Sequence, residues 1–425
     1  MIESLRARFN EGFTQERYAA LRKLLEDRCG APISFRLAET PVFVPRALLE
    51  GMARAGAKMT QALLADAEYL AAARRAIPKG YRVAGETVHP HFLTADFALV
   101  EGVQGALEPR LVELQAFPSL YAFQAVLGEA YRSTFGLSAH LGMFLSGLDE
   151  AGYWKLLRRT VVGPCDPAHV VLSEVDPWHQ KTLPDFLVTI ERLGIALVDI
   201  ADLEAVGNAL HFRNAAGQRV RIDRLYNRAI ADELIARKIA LRFDLERPWN
   251  VEWAGHPNWY FLVSKFSVPW LSQHASGAGI VPPAVFLNDF MEGRGRATLE
   301  AADVSLPPES DAGTRYDELL LKPLFSFAGK GIVFAPTRRE LDAIPANERG
   351  GYLLQQRMHF VPTIATPHGM TQAEFRILYL WPEDGELTPV LSLARLGRGK
   401  MMGVDHNRDM EWVGASAAFF PAEAS

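Results

Sequence analysis

Residues 321–336 read LKPLFSFAGKGIVFAP, with Lys322 directly before a proline and Lys330 bracketed by Gly329 and Gly331. Taken alone, this is equally a β-hairpin with a glycine turn or a flexible loop laid over the phosphates of a nucleotide. The second reading needs further parts. Phosphates need cations, and backbone N–H groups that glycine lets come close. A hard divalent ion such as Mg²⁺ needs carboxylate and amide oxygens, and phosphoryl transfer runs largely on positioning and charge neutralisation. Candidates exist for each part. Lys322 and Lys330 are the cations and Gly329 and Gly331 the close-approach positions. The strand-like run YLLQQRM offers Gln355 or Gln356 as a hinge against a base. Asp96 in FLTADFALV and Glu113 in LVELQ each interrupt an apolar strand. A carboxylate there is costly unless it points outward or faces a cation.

Other chemistries lack their parts. There is no GxxxxGK[ST] loop, no GxGxxG turn after a strand, no HExxH and no nucleophile elbow. His89, His91, His169 and His179 lack zinc spacing, and the two cysteines, Cys29 and Cys165, form no CxxC. The net charge is −5 with no basic block, so nucleic acid and membrane surfaces have no electrostatic support as partners. No apolar run reaches the roughly 20 residues that span a bilayer. MIESLRARFNEGF has no apolar stretch after its charges and does not read as a secretory signal. A reducing cytoplasm is the expected location.

The 425 residues, 49% apolar and 22% charged, imply a globular protein of several subdomains. Residues 11–28 and 46–76 have helical periodicity. From about 168 the pattern alternates: strands at AHVVLSEV, IALVDI and RVRIDRLYNR, helices at WHQKTLPDFLVTIERLG, DLEAVGNAL and IADELIARKIA. That spacing predicts a parallel sheet with right-handed crossovers. Residues 256–275 read as one buried helix with Lys265 in its middle, and 292–316 as a surface connection. FRILYLW and TPVLSLARLG flank PEDGEL as an antiparallel hairpin. The expected divisions are 1–90 helical, 91–165 carrying the acidic strands, 166–245 α/β, and 246–425 the nucleotide-binding region with the hairpin.

In this order the segments resemble the circularly permuted ATP-grasp enzymes, and most closely the synthetase domain of glutathionylspermidine synthase and its uncharacterised relatives. ADFAL, VELQAFPSL, VSKFSVPWL, KPLFSFAGKG and YLLQQ match that family's successive short motifs over residues 90–360. The resemblance implies an ATP-grasp-like α+β fold with a pre-ATP-grasp-like α/β subdomain and the nucleotide between two subdomains. It implies ATP and Mg²⁺, with Asp96, Glu113 and Gln115 holding the metal. Lys265 and Lys322 would neutralise phosphates, Gly329, Lys330 and Gly331 would form the lid, and Gln355 the hinge. The implied activity joins a carboxylate, through an acyl-phosphate, to an amine or thiol of a small-molecule or peptide substrate.

Two positions depart from the pattern. Thr94 stands where the family has arginine, and Gln115 where it has asparagine. Arg376 and Arg395, on the facing strands of the C-terminal hairpin, are candidates to replace the missing arginine as catalytic cations. Lys400, Asp405 and Asn407 in the Gly-rich tail are candidates for a substrate loop. The departures keep two alternatives open: a degenerate scaffold that binds nucleotide or a partner without ligation, and a phosphotransferase.

Overall fold

The computed structural model describes every residue except 309–310, 327–328, 400–401, 403–406, 408 and 423–425, and the side chain of Val103. Lys400 and Asp405 therefore lie outside the described residues.

A large mixed sheet organises the chain. Its main path runs, by strand, Val42–Phe43, Gly414–Pro421, Thr388–Gly397, Gly369–Leu380, Phe92–Glu101 and Leu107–Gln115. The last four strands pair antiparallel, so the predicted hairpin and the predicted acidic strands lie side by side. Side chains alternate between faces along each strand. One face presents Ala95, Phe97, Phe375, Ile377 and Tyr379 to the helix Arg46–Ala65. Gly56 lets that helix approach, because a Cβ there would stand 2.2 Å from the Tyr379 hydroxyl. The other face is divided. Phe92, Leu378, Leu380, Leu391 and Leu393 form one part, packed under the helices Tyr121–Phe135 and Glu150–Val161. Asp96, Glu374, Arg376 and Arg395 form the remainder and carry charge.

The parallel sheet is present, ordered Glu252–Ala254, Arg224–Asn227, Val170–Glu174, Ala196–Asp199. The helix expected at DLEAVGNAL is absent. Glu204–Val206 and Ala209–Arg213 form a hairpin with Val206 opposite Ala209, so Gly207 and Asn208 are its two-residue turn. Arg219–Arg221 joins that small sheet as a separate strand from Arg224–Asn227. The surface connection expected at 292–316 contains the helix Arg294–Ala301. An Arg296–Glu300 ion pair braces it at i, i+4.

A second, antiparallel sheet is ordered Ala284–Phe286, Tyr352–Gln356, Leu319–Pro323, Val333–Phe334. Leu319, Leu321, Leu354 and Val285 bury its outer face against the helices Leu287–Met291 and Arg294–Ala301. Lys322 and Gln355 occupy the opposite face. No helix among the described residues is long and apolar enough to cross a membrane.

Candidate functional site

The LKPLFSFAGKGIVF stretch is a hairpin connection of the second sheet, since Leu320 pairs with Phe334 and Leu321 with Val333. Gly329 and Gly331 have φ of 72° and 80°, the left-handed region that glycine enters without steric cost. Lys330 is exposed between them. The hairpin and loop readings thus coincide geometrically, and the loop's first half is tied inward by Ser326, whose carbonyl accepts from Lys265 Nζ at 2.6 Å.

Lys265 reaches that point because the expected helix is broken. Trp259–Leu262 and Ser267–Gln273 are separate short helices, and Lys265 sits in the break. Ala116 N–H donates to Val263 O at 2.9 Å, which fixes the break beside the end of the strand Leu107–Gln115. Lys265 therefore meets Glu113, with Nζ 3.0 Å from Oε1. Gln115, two residues on and on the same face, donates its amide to the same oxygen at 3.2 Å. Both contacts fall on Oε1, and no described residue engages Oε2.

On the second sheet Lys322 is buried and donates to Gln355 Oε1 at 2.6 Å. No carboxylate among the described residues contacts it. Burial pushes its ammonium down to about 8, with the neighbouring Lys265 adding to the effect and Glu113 opposing it. Gln355 is fully buried, and its Nε2 has no partner among the described residues. The same holds for Ser326 Oγ and Arg395 Nε. These are buried hydrogen-bond donors without acceptors among the described residues, an arrangement that costs free energy until an acceptor arrives.

Across the large sheet register sets the charged side chains beside one another. Glu113 stands opposite Asp96, Asp96 opposite Arg376, and Glu374 opposite Arg395. A register shift after Asp96 places a bulge at Val112, which turns Glu113 to the face that Asp96 shares. Arg376 grips Asp96 bidentately, Nε to Oδ1 and Nη2 to Oδ2, both at 2.7 Å. Arg395 bridges Asp96 Oδ2 and Glu374 Oε1. Burial works to raise the Asp96 carboxyl, but Arg376 and Arg395 outweigh it and hold the group below the ordinary range. For Glu374 burial prevails over Arg395 and the shift is upward. Arg376 Nη1 also donates to Ser119 Oγ at 3.4 Å.

The structure thus brings Asp96, Glu113, Gln115, Lys265, Lys322, Gln355, Arg376 and Arg395 into one region between the two sheets. Gly329, Lys330 and Gly331 lie on the connection above it. Glu374, Ser119 and Ser326 belong to the same region and escaped the sequence reading. Glu374 had a signal: it stands two residues before Arg376 on a strand and so shares its face. Asn407 is buried against Gly397 and accepts from Arg398 N–H at 3.3 Å. Beside the cluster, a small cavity at the carboxyl ends of the parallel strands is lined by Phe117, Asn227, Leu234, Trp253, His256 and Tyr260.

Neither a protein-family model nor a curated protein matches this chain. A solved structure does. A glutathione synthetase-like effector (GSS30) from Globodera pallida, in its apo form, is similar over 95% of this chain and 96% of that one. The TM-score is 0.56 and the sequence identity 10%. At that identity the likeness is one of fold: the chain has the mixed α/β architecture of a glutathione synthetase-like protein, compatible with an ATP-grasp-like scaffold.

Proposed function

We propose that this chain binds ATP between the two sheets and uses it to join a carboxylate to an amine or thiol. The observation that carries this reading is the buried pair Lys265 and Lys322 with unpartnered donors beside it, facing Glu113 across the cleft. Lys265, Arg376 and Arg395 each contact a carboxylate among Glu113, Asp96 and Glu374, while Lys322 contacts none of the described carboxylates. A polyphosphate supplies the missing acceptors and counter-charge. In this reading Lys265 and Lys322 meet the phosphates, the Gly329–Gly331 turn covers them, and the strand ending in Gln355 and Gln356 borders the base.

Mg²⁺ fits the open oxygens of Glu113 and Gln115, because a hard cation takes one or two carboxylates plus phosphate oxygens. When bound it would neutralise charge on the phosphates. The substrate carboxylate oxygen attacks the γ-phosphorus and ADP leaves; the amine or thiol then attacks the acyl carbon, phosphate leaves and the nucleophile's proton is lost. Arg376 and Arg395 stand where they could stabilise the developing negative charge, the role that Thr94 cannot fill. The acidic strands precede the lysine-bearing sheet in the chain, which supports reading the scaffold as circularly permuted.

The test is calorimetric titration of ATP and of its non-hydrolysable imido analogue into the wild type and Lys265→Met. Binding that Lys265→Met weakens supports the site; no heat in the wild type refutes it. Thr94 and Gln115 favour a second reading, nucleotide binding without ligation. Phosphate release that needs both an acid and an amine separates the ligase from the binder.

A further inference from the structure

The family resemblance implies three metal-holding residues, yet the structure treats them unequally. Asp96 is 2% exposed and both its oxygens are occupied, Oδ1 by Arg376 and Oδ2 by Arg376 and Arg395. For Asp96 to coordinate an ion through both oxygens, a bidentate guanidinium would have to release it. That would leave Arg376, whose side chain is 12% exposed, without its counter-charge. Glu374 is committed in the same way to Arg395. Glu113 and Gln115 are different. Glu113 receives Lys265 and Gln115 on one oxygen only, and Gln115 uses its amide nitrogen and keeps its side-chain oxygen. Among the described residues no three His, Cys, Asp or Glu side chains are grouped to hold a metal.

Resting on the nucleotide reading, we infer that Asp96 is a positioning residue and not a metal ligand. It fixes Arg376 and Arg395 against the site, and the chain takes one divalent ion per nucleotide, on Glu113 and Gln115. The charge that a second ion would supply comes from Lys265 and Lys322. Register explains how one carboxylate can do this. Asp96 lies directly opposite Arg376, and Arg395 reaches it across Glu374, so a single anion orders guanidinium groups from two successive strands. Arg395 is left with its Nε unpartnered. A guanidinium held through Nη2 with its Nε–H open is oriented for an oxyanion.

The experiment uses Mn²⁺ as an electron-paramagnetic probe, titrated into the full chain with the imido analogue of ATP. Nucleotide binding is measured in parallel by thermal shift. The wild type should bind one Mn²⁺ per chain. Glu113→Gln should weaken that site by at least about tenfold. Asp96→Asn should keep the count at one, with an affinity far closer to wild type than to Glu113→Gln. Two Mn²⁺ per wild-type chain would overturn the inference. So would loss of the site in an Asp96→Asn protein whose circular dichroism matches wild type. If Asp96→Asn does not fold, Arg376→Met with Arg395→Met replaces it. Freeing Asp96 should then create a second Mn²⁺ site, and an unchanged count overturns the inference. If the nucleotide shifts the melt but the metal pattern is wrong, only this inference falls. If the nucleotide gives no shift at all, the proposed function falls first.

Discussion

Lys322→Met separates a ligand-binding lysine from a structural one, and the structure supplies the size of the effect. The Lys322 ammonium is buried, accepted among the described residues by the Gln355 side-chain Oε1, and pushed down to about 8 from an ordinary 10.5. At 1.36 kcal/mol per unit, keeping it charged in the native state costs about 3 kcal/mol at neutral pH. Methionine removes that cost but leaves Gln355 Oε1 without its donor, a loss of about 1–3 kcal/mol. The net change at pH 7 is therefore small. Its pH dependence is not. The folded pKa is depressed, so the wild type carries the full penalty below pH 8 and sheds it as pH rises toward 10.5. The stability of Lys322→Met relative to wild type should fall by about 3 kcal/mol over that interval, and the Gln355 contribution cancels from the difference.

Thermal melts of both proteins at pH 7 and pH 10, with and without ATP, read this out. A ligand at a hundredfold excess over its Kd stabilises the native state by about 2.7 kcal/mol. That shift should appear in the wild type at pH 7 and vanish in Lys322→Met. In the wild type the affinity should also decline above pH about 8, as the ammonium deprotonates. Parallel pH profiles for the two proteins, together with a nucleotide shift retained in Lys322→Met, would refute the reasoning and make the lysine an ordinary strand residue.

Three further outcomes are expected. Burial lifts Glu174 to about 8 from 4.5, so the folded state holds its proton more tightly than the unfolded one and stability falls as pH rises between those values; Glu174→Gln should flatten that slope in urea midpoints taken at pH 5 and pH 8, by at most about 5 kcal/mol. Arg228 pairs with Asp185 at 3.0 Å, both almost wholly buried, and Arg228→Met should cost about 3–5 kcal/mol in chemical denaturation by stranding the carboxylate. Gly331→Ala places a Cβ 3.1 Å from Pro323 Cγ at a φ of 80°, and should cost about 1–2 kcal/mol and reduce the nucleotide-induced melting shift.

What was legible in the sequence was side-chain type at short range. A lysine before a proline, glycines around a second lysine and acids inside apolar strands all mark positions whose chemistry is unusual for their element, and they do gather. The pairings that matter most were not legible. Asp96 and Arg376 are 280 positions apart, and their contact is set by strand order and register, which no local pattern encodes. The missed hairpin at 204–213 had its signal in the Gly207–Asn208 pair, a two-residue turn that outweighed a helix-like spacing of leucines. The strand Gly414–Pro421 gave none. GASAAFFP lacks polar alternation because seven of its eight residues are buried on both faces, between Val42–Phe43 and Thr388–Gly397. At the Lys265 break, Pro269 cannot donate to the Lys265 carbonyl, which is a local signal, but the distant Ala116 N–H that donates to the Val263 carbonyl was hidden.

The cluster divides by how completely its charges are met. Asp96, Arg376, Arg395 and Glu374 form a chain of contacts in which each carboxylate is matched by a guanidinium, and such a group sets shape. Lys265, Lys322, Gln355 and Glu113 are undercompensated: Glu113 pairs with Lys265, Lys322 has no described carboxylate in contact, and the buried Gln355 amide lacks an acceptor among the described residues. An incoming anion relieves an existing penalty in the second group, where a buried ammonium and a buried amide lack partners among the described residues. The two halves should therefore respond oppositely to substitution. Neutral variants of the matched half leave a buried charge alone and lose stability before they lose ligand. Neutral variants at Lys322 keep or gain stability and lose the ligand first. That reversal is the physical signature of a site whose binding energy is held ready in unmet groups and whose geometry is held by met ones.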